Sequence, residues 1–250
     1  MKKIVITGGT RGLGRGLARA LLEQGHQVMV CGTGQAGVAA VTNEVGVPAL
    51  VADATDRAQV QALWDEAVRR FGRVDIWINN AGVSHHRVPL WRLPEPEART
   101  VAEVNLLGVL NGCAVAAAGM AARGGGHIWN MEGLGSDGRV VPGLGVYGAT
   151  KRAVTYLTRA LAKEAPDGVT AGLLSPGMVV TDLLTYGDSE AARGRASEIF
   201  AILADPVDTV APWLARRVVT RAKNGARTGR LVRLPPKEAA RVGGEVTVGW

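Results

Sequence analysis

Cysteine is scarce: Cys31 and Cys113 stand alone in 250 residues, with no CxxC spacing and no Cys/His cluster near either. That argues against a disulfide framework, and both side chains are expected to be buried thiols in a reducing, cytoplasmic setting. Histidine is nearly as rare. His85 and His86 are neighbours, but no further His, Cys or acidic residue stands at ligand spacing, so no metal is expected and the pair reads as part of a loop. No run of 18 or more apolar residues occurs, so no transmembrane segment is expected. The charged start Met1-Lys2-Lys3 passes at once into Ile4-Val5-Ile6, and a cleaved leader would remove that strand.

Negative charge is missing from one end. From Arg216 onward there are nine basic residues against Glu238 and Glu245, whereas the rest of the chain is balanced. Such a basic segment, 216–250, suits nucleic acid, an anionic lipid surface or an acidic substrate. No aromatic residue interleaves its charges, so no nucleic-acid partner is expected. A solvated terminal helix and tail explains the charge as well, and peripheral contact with a membrane surface stays open.

What is present is a regular alternation. Short apolar runs at 3–7, 27–31, 48–52, 74–78, 126–130, 169–173 and 230–234 read as strands. Between them, Leu13 to Gln24, Arg57 to Phe71, Glu97 to Ala122 and Val146 to Glu164 carry apolar residues at helical spacing. Seven strands separated by helices predict one α/β domain over 1–250, a parallel sheet covered by helices on both faces. The 47% hydrophobic content suffices for its core. Residues 181–205 form a candidate substrate lid, although an ordinary surface helix pair fits the same pattern.

After the first strand comes Thr7-Gly8-Gly9-Thr10-Arg11-Gly12-Leu13-Gly14. Glycines 8, 12 and 14 allow a tight turn, close approach of backbone to phosphate, and close packing of the next helix, whose N-terminus faces a pyrophosphate. The end of the second strand, Cys31-Gly32-Thr33-Gly34-Gln35, lacks the carboxylate that would bind an adenosine ribose and repel a 2′-phosphate. Arg11 offers a guanidinium for that phosphate, so NADPH is the expected cofactor. Asp53 suits either an adenine amino group or the cap of the next helix. Farther on, Tyr147 and Lys151 stand four apart on one helical face, where the ammonium would favour the phenolate.

These motifs together resemble the short-chain dehydrogenase/reductase family over nearly the whole chain: Thr7 to Gly14 as TGxxxGxG, Asn79-Asn80-Ala81-Gly82 as NNAG, Tyr147 and Lys151 as YxxxK, and Pro176-Gly177 as the turn after the sixth strand. The resemblance implies a Rossmann-type, doubly wound sheet in the order 3-2-1-4-5-6-7. It implies a cofactor site drawn from Thr7, Gly8, Thr10, Arg11, Gly12, Leu13, Gly14, Thr33, Asp53, Ala54, Asn79, Ala81, Gly82, Tyr147, Lys151, Pro176, Gly177, Met178, Val179 and Thr181. Tyr147 would be the general acid or base, Lys151 the ribose ligand and pKa depressor, and Asn105 the holder of a relay water. Homodimers or homotetramers through the helices near Glu97 to Ala122 and Val146 to Glu164 are also implied.

One family element is missing. Aligning Asn130 with the asparagine before the family's catalytic serine puts Gly133 at the serine position. Losing a hydrogen-bond donor to the reacting oxygen commonly costs about 10² to 10³ in rate. Ser136, or a backbone amide of the glycine-rich loop, is the candidate replacement. The block His127 to Gly138, with Tyr147 to Arg152 and Leu174 to Leu184, resembles chlorophyll b reductases, which also carry glycine at that position. Those enzymes reduce the C7 formyl group of chlorophyll b with NADPH. The expectation is therefore an NADPH-dependent reductase of a bulky hydrophobic carbonyl, in a pocket of Trp91, Val141, Pro142, Leu144, Met178, Leu183, Leu184 and Tyr186. The rivals are a 3-oxoacyl or small-ketone reductase, and a non-catalytic NADPH-binding protein.

Overall fold

Seven short strands make one wholly parallel sheet: β1 (Lys3–Ile6), β2 (Gln27–Gly32), β3 (Ala49–Val51), β4 (Ile76–Asn79), β5 (Gly126–Met131), β6 (Val169–Ser175) and β7 (Arg227–Gly229). Their order is β3-β2-β1-β4-β5-β6-β7. The structure is a computed structural model and describes residues 1–186, 204–229, 232–233 and 247–248. Between the strands lie α1 (Gly12–Glu23), α2 (Gln35–Val45), α3 (Arg57–Phe71), α4 (Glu95–Ala102), α5 (Gly108–Ala121), α6 (Gly145–Glu164) and α7 (Val207–Thr220). The order reverses direction at β1, so a crevice opens above the carboxyl ends of β1 and β4, where such sheets bind ligands.

The inner strands are buried on both faces, and alternation divides their side chains between two cores. Ile4, Ile6, Val28, Val30, Ile76 and Ile78 point towards Leu17 and Leu21 of α1 and Val210, Leu214 and Val218 of α7. Val5, Met29, Trp77 and Ile128 point the other way, towards Leu63 and Trp64 of α3, Val109 and Met120 of α5 and Val154 of α6. Each such side chain contributes about 1.5–3 kcal/mol on burial. Boundaries follow local chemistry. Asp56 accepts hydrogen bonds from the amides of Ala58 and Gln59 to start α3, and Gly72, at φ 81°, stops it in the left-handed conformation.

Three expectations need correction. The seventh strand lies at Arg227–Gly229, three residues before the expected 230–234, because it pairs Leu173, Leu174 and Ser175 with Arg227, Thr228 and Gly229. Gly229 can lie against Ser175, whose Cβ would be 3.0 Å from a Cβ there, and the apolar run that suggested the later start belongs elsewhere. Val232–Arg233 instead pairs antiparallel with Thr247–Val248. α2 escaped the periodicity reading because Val38 and Val41 are its only buried residues. The helix read as Glu97 to Ala122 is α4 and α5 joined through a π turn at Glu103–Leu107, where Gly108 N donates to Glu103 O. The joined Glu95–Ala121 is, among the described residues, the one helix long and apolar enough to cross a membrane. Here Val109, Cys113, Ala116 and Met120 bury its inner face in the core.

Of the candidate lid, a helical turn at Asp182–Thr185 and the strand bridge from Asp205–Pro206 to Val179–Val180 are described. Residues 187–203, and most of the basic segment after Gly229, lie outside the described residues.

Candidate active site

The glycine loop is shaped by contacts that leave no room for side chains at Gly8, Gly9 and Gly14. Gly8 has φ 65°, and a Cβ on it would lie 2.7 Å from Ala81 Cα. A Cβ on Gly14 would lie 2.3 Å from Gly8 O. Thr7 Oγ1 accepts from the amides of Asn80 and Ala81, and Asn80 Nδ2 donates to the carbonyls of Thr7 and Gly8, so the loop after β4 clamps the loop after β1. Thr10 packs against Gly32 at the end of β2, and Thr181 against Gly12. Arg11, extended at φ −150°, precedes α1 without a side-chain cap, and α1 has no acidic residue in its first turn. The cradle of bare backbone, the uncapped helix start and the exposed Arg11 fit a dinucleotide phosphate. Asp53 does not cap α3, which uses Asp56. Its Oδ1 accepts from Thr55 N and Oγ1 at the edge of the same crevice.

Asn79 lies elsewhere than expected. Its side chain is buried under the sheet, accepting from Trp77 Nε1 at 2.8 Å and donating to Asn130 Oδ1 at 2.7 Å. Asn130 passes the network on to Thr158 on α6. Strand alternation sends Asn79 inward and leaves Asn80 at the crevice, a residue the sequence reading did not select.

On α6, Tyr147 and Lys151 are both buried. Lys151 Nζ lies 5.8 Å from the Tyr147 ring centroid and donates to Met131 O at 3.3 Å. A Cβ on Gly82 would lie 3.6 Å from Lys151 Nζ and 3.4 Å from Asn105 Oδ1, which draws the β4 loop, α6 and the π turn to one point. Asn105 is fully buried, and its amide pairs with both backbone groups of Val83, at 2.8 and 2.9 Å. The π turn that aims it is a device often found at functional sites. Val83 leads to His85, whose Nδ1 lies 2.8 Å from the His86 carbonyl and whose Nε2 accepts from Tyr147 N at 3.2 Å. His85 is therefore no simple loop residue: it holds the first turn of the helix that carries Tyr147.

The model of the short chain dehydrogenase family matches residues 2–191. The chain belongs to the short-chain dehydrogenase/reductase family. Its members are oxidoreductases, and this one is similar to several. It is 38% identical to the chloroplastic chlorophyll(ide) b reductase NOL of Oryza sativa subsp. japonica, over 86% of this chain and 66% of that protein, so it spans about two-thirds of that relative's length. It is 39% identical to the L-fucose dehydrogenase of Oryctolagus cuniculus, over 82% of this chain and 72% of the relative. The crystal structure of a 3-ketoacyl-(acyl-carrier-protein) reductase from Brucella melitensis, complexed with NADH, superposes with a TM-score of 0.80 at 29% identity, covering 91% of this chain and 96% of that one.

Within the family pattern, the serine position holds Gly133, and the geometry gives the reason. A Cβ there would lie 2.4 Å from the Tyr147 hydroxyl and 3.1 Å from Lys151 Cε. The tyrosine oxygen fills the space that a side chain would need. Ser136 is buried too, but its Oγ accepts from Gly133 N at 3.1 Å and donates to Lys151 O at 3.4 Å, so its one proton is directed at the backbone of the loop and helix.

Burial dominates the electrostatics. The Tyr147 phenol is pushed up to about 12 by desolvation, opposite to the depression expected from Lys151. At 5.8 Å from the ring, the amine does not offset that burial. Lys151 is pulled down to about 8, first by desolvation, with Glu132 opposing. Tyr147 is thus a neutral phenol at working pH, the form that donates a proton. Cys31 and Cys113 are buried and unpaired, each raised to about 11 by desolvation, and are inert as nucleophiles. No cluster of metal-binding side chains occurs among the described residues.

Around Tyr147, Val83, Val101, Leu134, Val141, Leu144 and Val146 form an apolar wall. Tyr186 is half-exposed and stacks near His86, Leu183 is exposed, and Trp91 is 84% exposed at the rim. The side chain of Leu184 lies outside the described residues.

Proposed function

We propose that this chain is an NADPH-dependent carbonyl reductase that converts the C7 formyl group of chlorophyll b or chlorophyllide b, or a similar bulky hydrophobic aldehyde, to the alcohol. The observation that carries the reading is the seating of the Tyr147 hydroxyl against Gly133, where a Cβ would lie 2.4 Å from it, so the serine position carries no side chain. With an apolar wall around Tyr147, a site without the serine side chain suits a large hydrophobic substrate. The similarity to NOL supports the same substrate class.

When bound, NADPH supplies the hydride that the carbonyl carbon accepts. Gly8, Thr10, Gly12, Leu13 and Gly14 would hold its pyrophosphate, and Arg11 and Thr33 its 2′-phosphate. Asp53 and Ala54 would meet the adenine, Ala81 and Gly82 would admit the nicotinamide ribose, and Pro176, Gly177, Met178, Val179 and Thr181 would line the nicotinamide. Arg11 makes no ion pair among the described residues, whereas Arg15 is bound to Glu44. Tyr147 gives its phenolic proton to the developing alkoxide. Lys151 holds the ribose hydroxyls and returns the proton, and Asn105 keeps the segment behind them in place. Ser136 braces the loop under Tyr147 in this arrangement, and Leu134 and Gly135, whose amides are not engaged by described residues, offer the donors nearest the missing serine.

A homodimer or homotetramer completes the reading, built on α5 and α6, where Leu110 and Tyr156 are exposed. Two buried, unpaired thiols suit a cytoplasmic setting. A carbonyl panel tests the substrate: chlorophyllide b, 3-oxoacyl thioesters, small ketones and sugars, each with NADPH and NADH. The 39% identity to an L-fucose dehydrogenase makes the sugar arm necessary. Turnover of 3-oxoacyl groups or sugars with none of porphyrin aldehydes would overturn the proposal.

A further inference from the structure

Next to Gly133 stands a carboxylate that the reaction just described does not use. The Glu132 side chain is fully buried, with Oε2 2.8 Å from Arg227 Nε at the start of β7. Its other oxygen, Oε1, lies 3.5 Å from Thr155 Oγ1, one turn along α6 from Lys151. Backbone pins the residue as well, since Glu132 N donates to Leu174 O at 2.8 Å. A buried carboxylate costs several kcal/mol unless it is paired, and a buried ion pair is commonly no more stabilising than apolar residues of the same size. Fold stability alone therefore does not account for it.

The second buried charge of the site does. Among the described residues Lys151 has a single acceptor, Met131 O, the carbonyl directly before Glu132, and a neutral carbonyl is a poor replacement for water around an ammonium. The groups facing Lys151 are Tyr147 on its own helix, Glu132 from the end of β5 with Arg227 behind it, and the uncharged Asn105 from the π turn. His85 touches the backbone of Tyr147 from the β4 loop, and the Arg152 guanidinium is turned to Ser136 O. Glu132 is the one anion in this set, and its field raises the proton affinity of Lys151 against burial.

We propose that Glu132, oriented by Arg227, is a positioning residue whose negative charge keeps Lys151 an ammonium inside the dry site, which makes the start of β7 part of the active centre. The inference rests on the reading of Lys151 as the partner of Tyr147, but its test does not depend on turnover.

The protein carrying ¹³C-labelled lysine, without cofactor, is titrated by NMR, with Lys151 assigned by its loss in Lys151→Met. In Glu132→Gln the Lys151 midpoint falls by about one unit, the low end of the effect of a nearby opposite charge. In Arg227→Met it rises, because the carboxylate then acts on Lys151 alone. A merely structural pair would lower the melting temperature in both variants and leave the midpoint where it was, and that result overturns the proposal. If Glu132→Gln does not fold, Arg227→Met decides, and an unchanged or lowered midpoint there is equally fatal. Both midpoint shifts in the variants, with a wild-type protein that reduces no carbonyl, would instead refute the assigned function and leave the electrostatic pairing intact.

Discussion

Gly133→Ser looks like a repair of the missing donor, and the structure predicts that it is damage. A Cβ at 133 would lie 2.4 Å from the Tyr147 hydroxyl, 3.1 Å from Lys151 Cε and 3.2 Å from Lys151 Cγ. A carbon and a hydroxyl oxygen need roughly 3.3 Å, near the optimum for non-bonded contact, so the phenol must retreat by about 1 Å. Lys151, buried beside it, closes off part of the escape. Misplacing a reacting group by about 1 Å commonly costs about 10²-fold in rate. Had the serine merely been absent from an open position, restoring it would raise the rate by about 10² to 10³. The two accounts differ in sign. kcat/KM is measured by NADPH oxidation with the best aldehyde of the panel for wild type, Gly133→Ser and Gly133→Ala, with melting temperatures alongside. Both variants should lose about 10²-fold, because the Cβ does the harm and the hydroxyl adds nothing. A Gly133→Ser enzyme faster than wild type would refute the reasoning, most clearly if Gly133→Ala stays slow.

Further outcomes follow from the same geometry. Activity should fall as pH rises through about 8, where Lys151 loses its proton, while Tyr147, held up to about 12, stays protonated throughout; a kcat/KM profile flat to pH 9 would contradict this. Ser136→Ala should cost roughly several-fold, as loss of a loop brace, and a loss of about 10² or more would make Ser136 the reacting donor after all. Gly112→Ala should destabilise the fold by at least about 1–3 kcal/mol, since its Cβ would lie 1.9 Å from Asn79 Oδ1 and 2.8 Å from Trp77 Nε1. Chemical denaturation reads that directly, and an unchanged midpoint would show that the buried network is not rigid.

Local signals carried much of this structure. The glycine triad, the four-residue spacing of Tyr147 and Lys151, and the strand pattern each depend on a few neighbouring residues, and β1 to β6 lie within a residue or two of where the apolar runs put them. Features set by distant partners were not legible. Asn79 and Asn80 are identical neighbours, and only their places on the strand decide which one enters the Trp77–Asn130 network and which clamps the glycine loop. His85 gained its role from a helix 62 residues away. The spacing of Tyr147 and Lys151 suggested a depressed phenol, but spacing says nothing of burial, which reverses the direction. The pair Glu132–Arg227, 95 residues apart, needed the β6–β7 pairing to be seen at all.

In the proposed reaction Tyr147 delivers the proton, and bound NADPH the hydride, that together turn a porphyrin aldehyde into its alcohol. Chlorophyllide b incubated with the protein and NADPH deuterated at C4 tests it most directly, with the product read by mass spectrometry. The expected product is a hydroxymethyl group carrying one deuterium, formed at least about 10²-fold more slowly by Tyr147→Phe. An intact formyl group, or equal product from Tyr147→Phe, would contradict it.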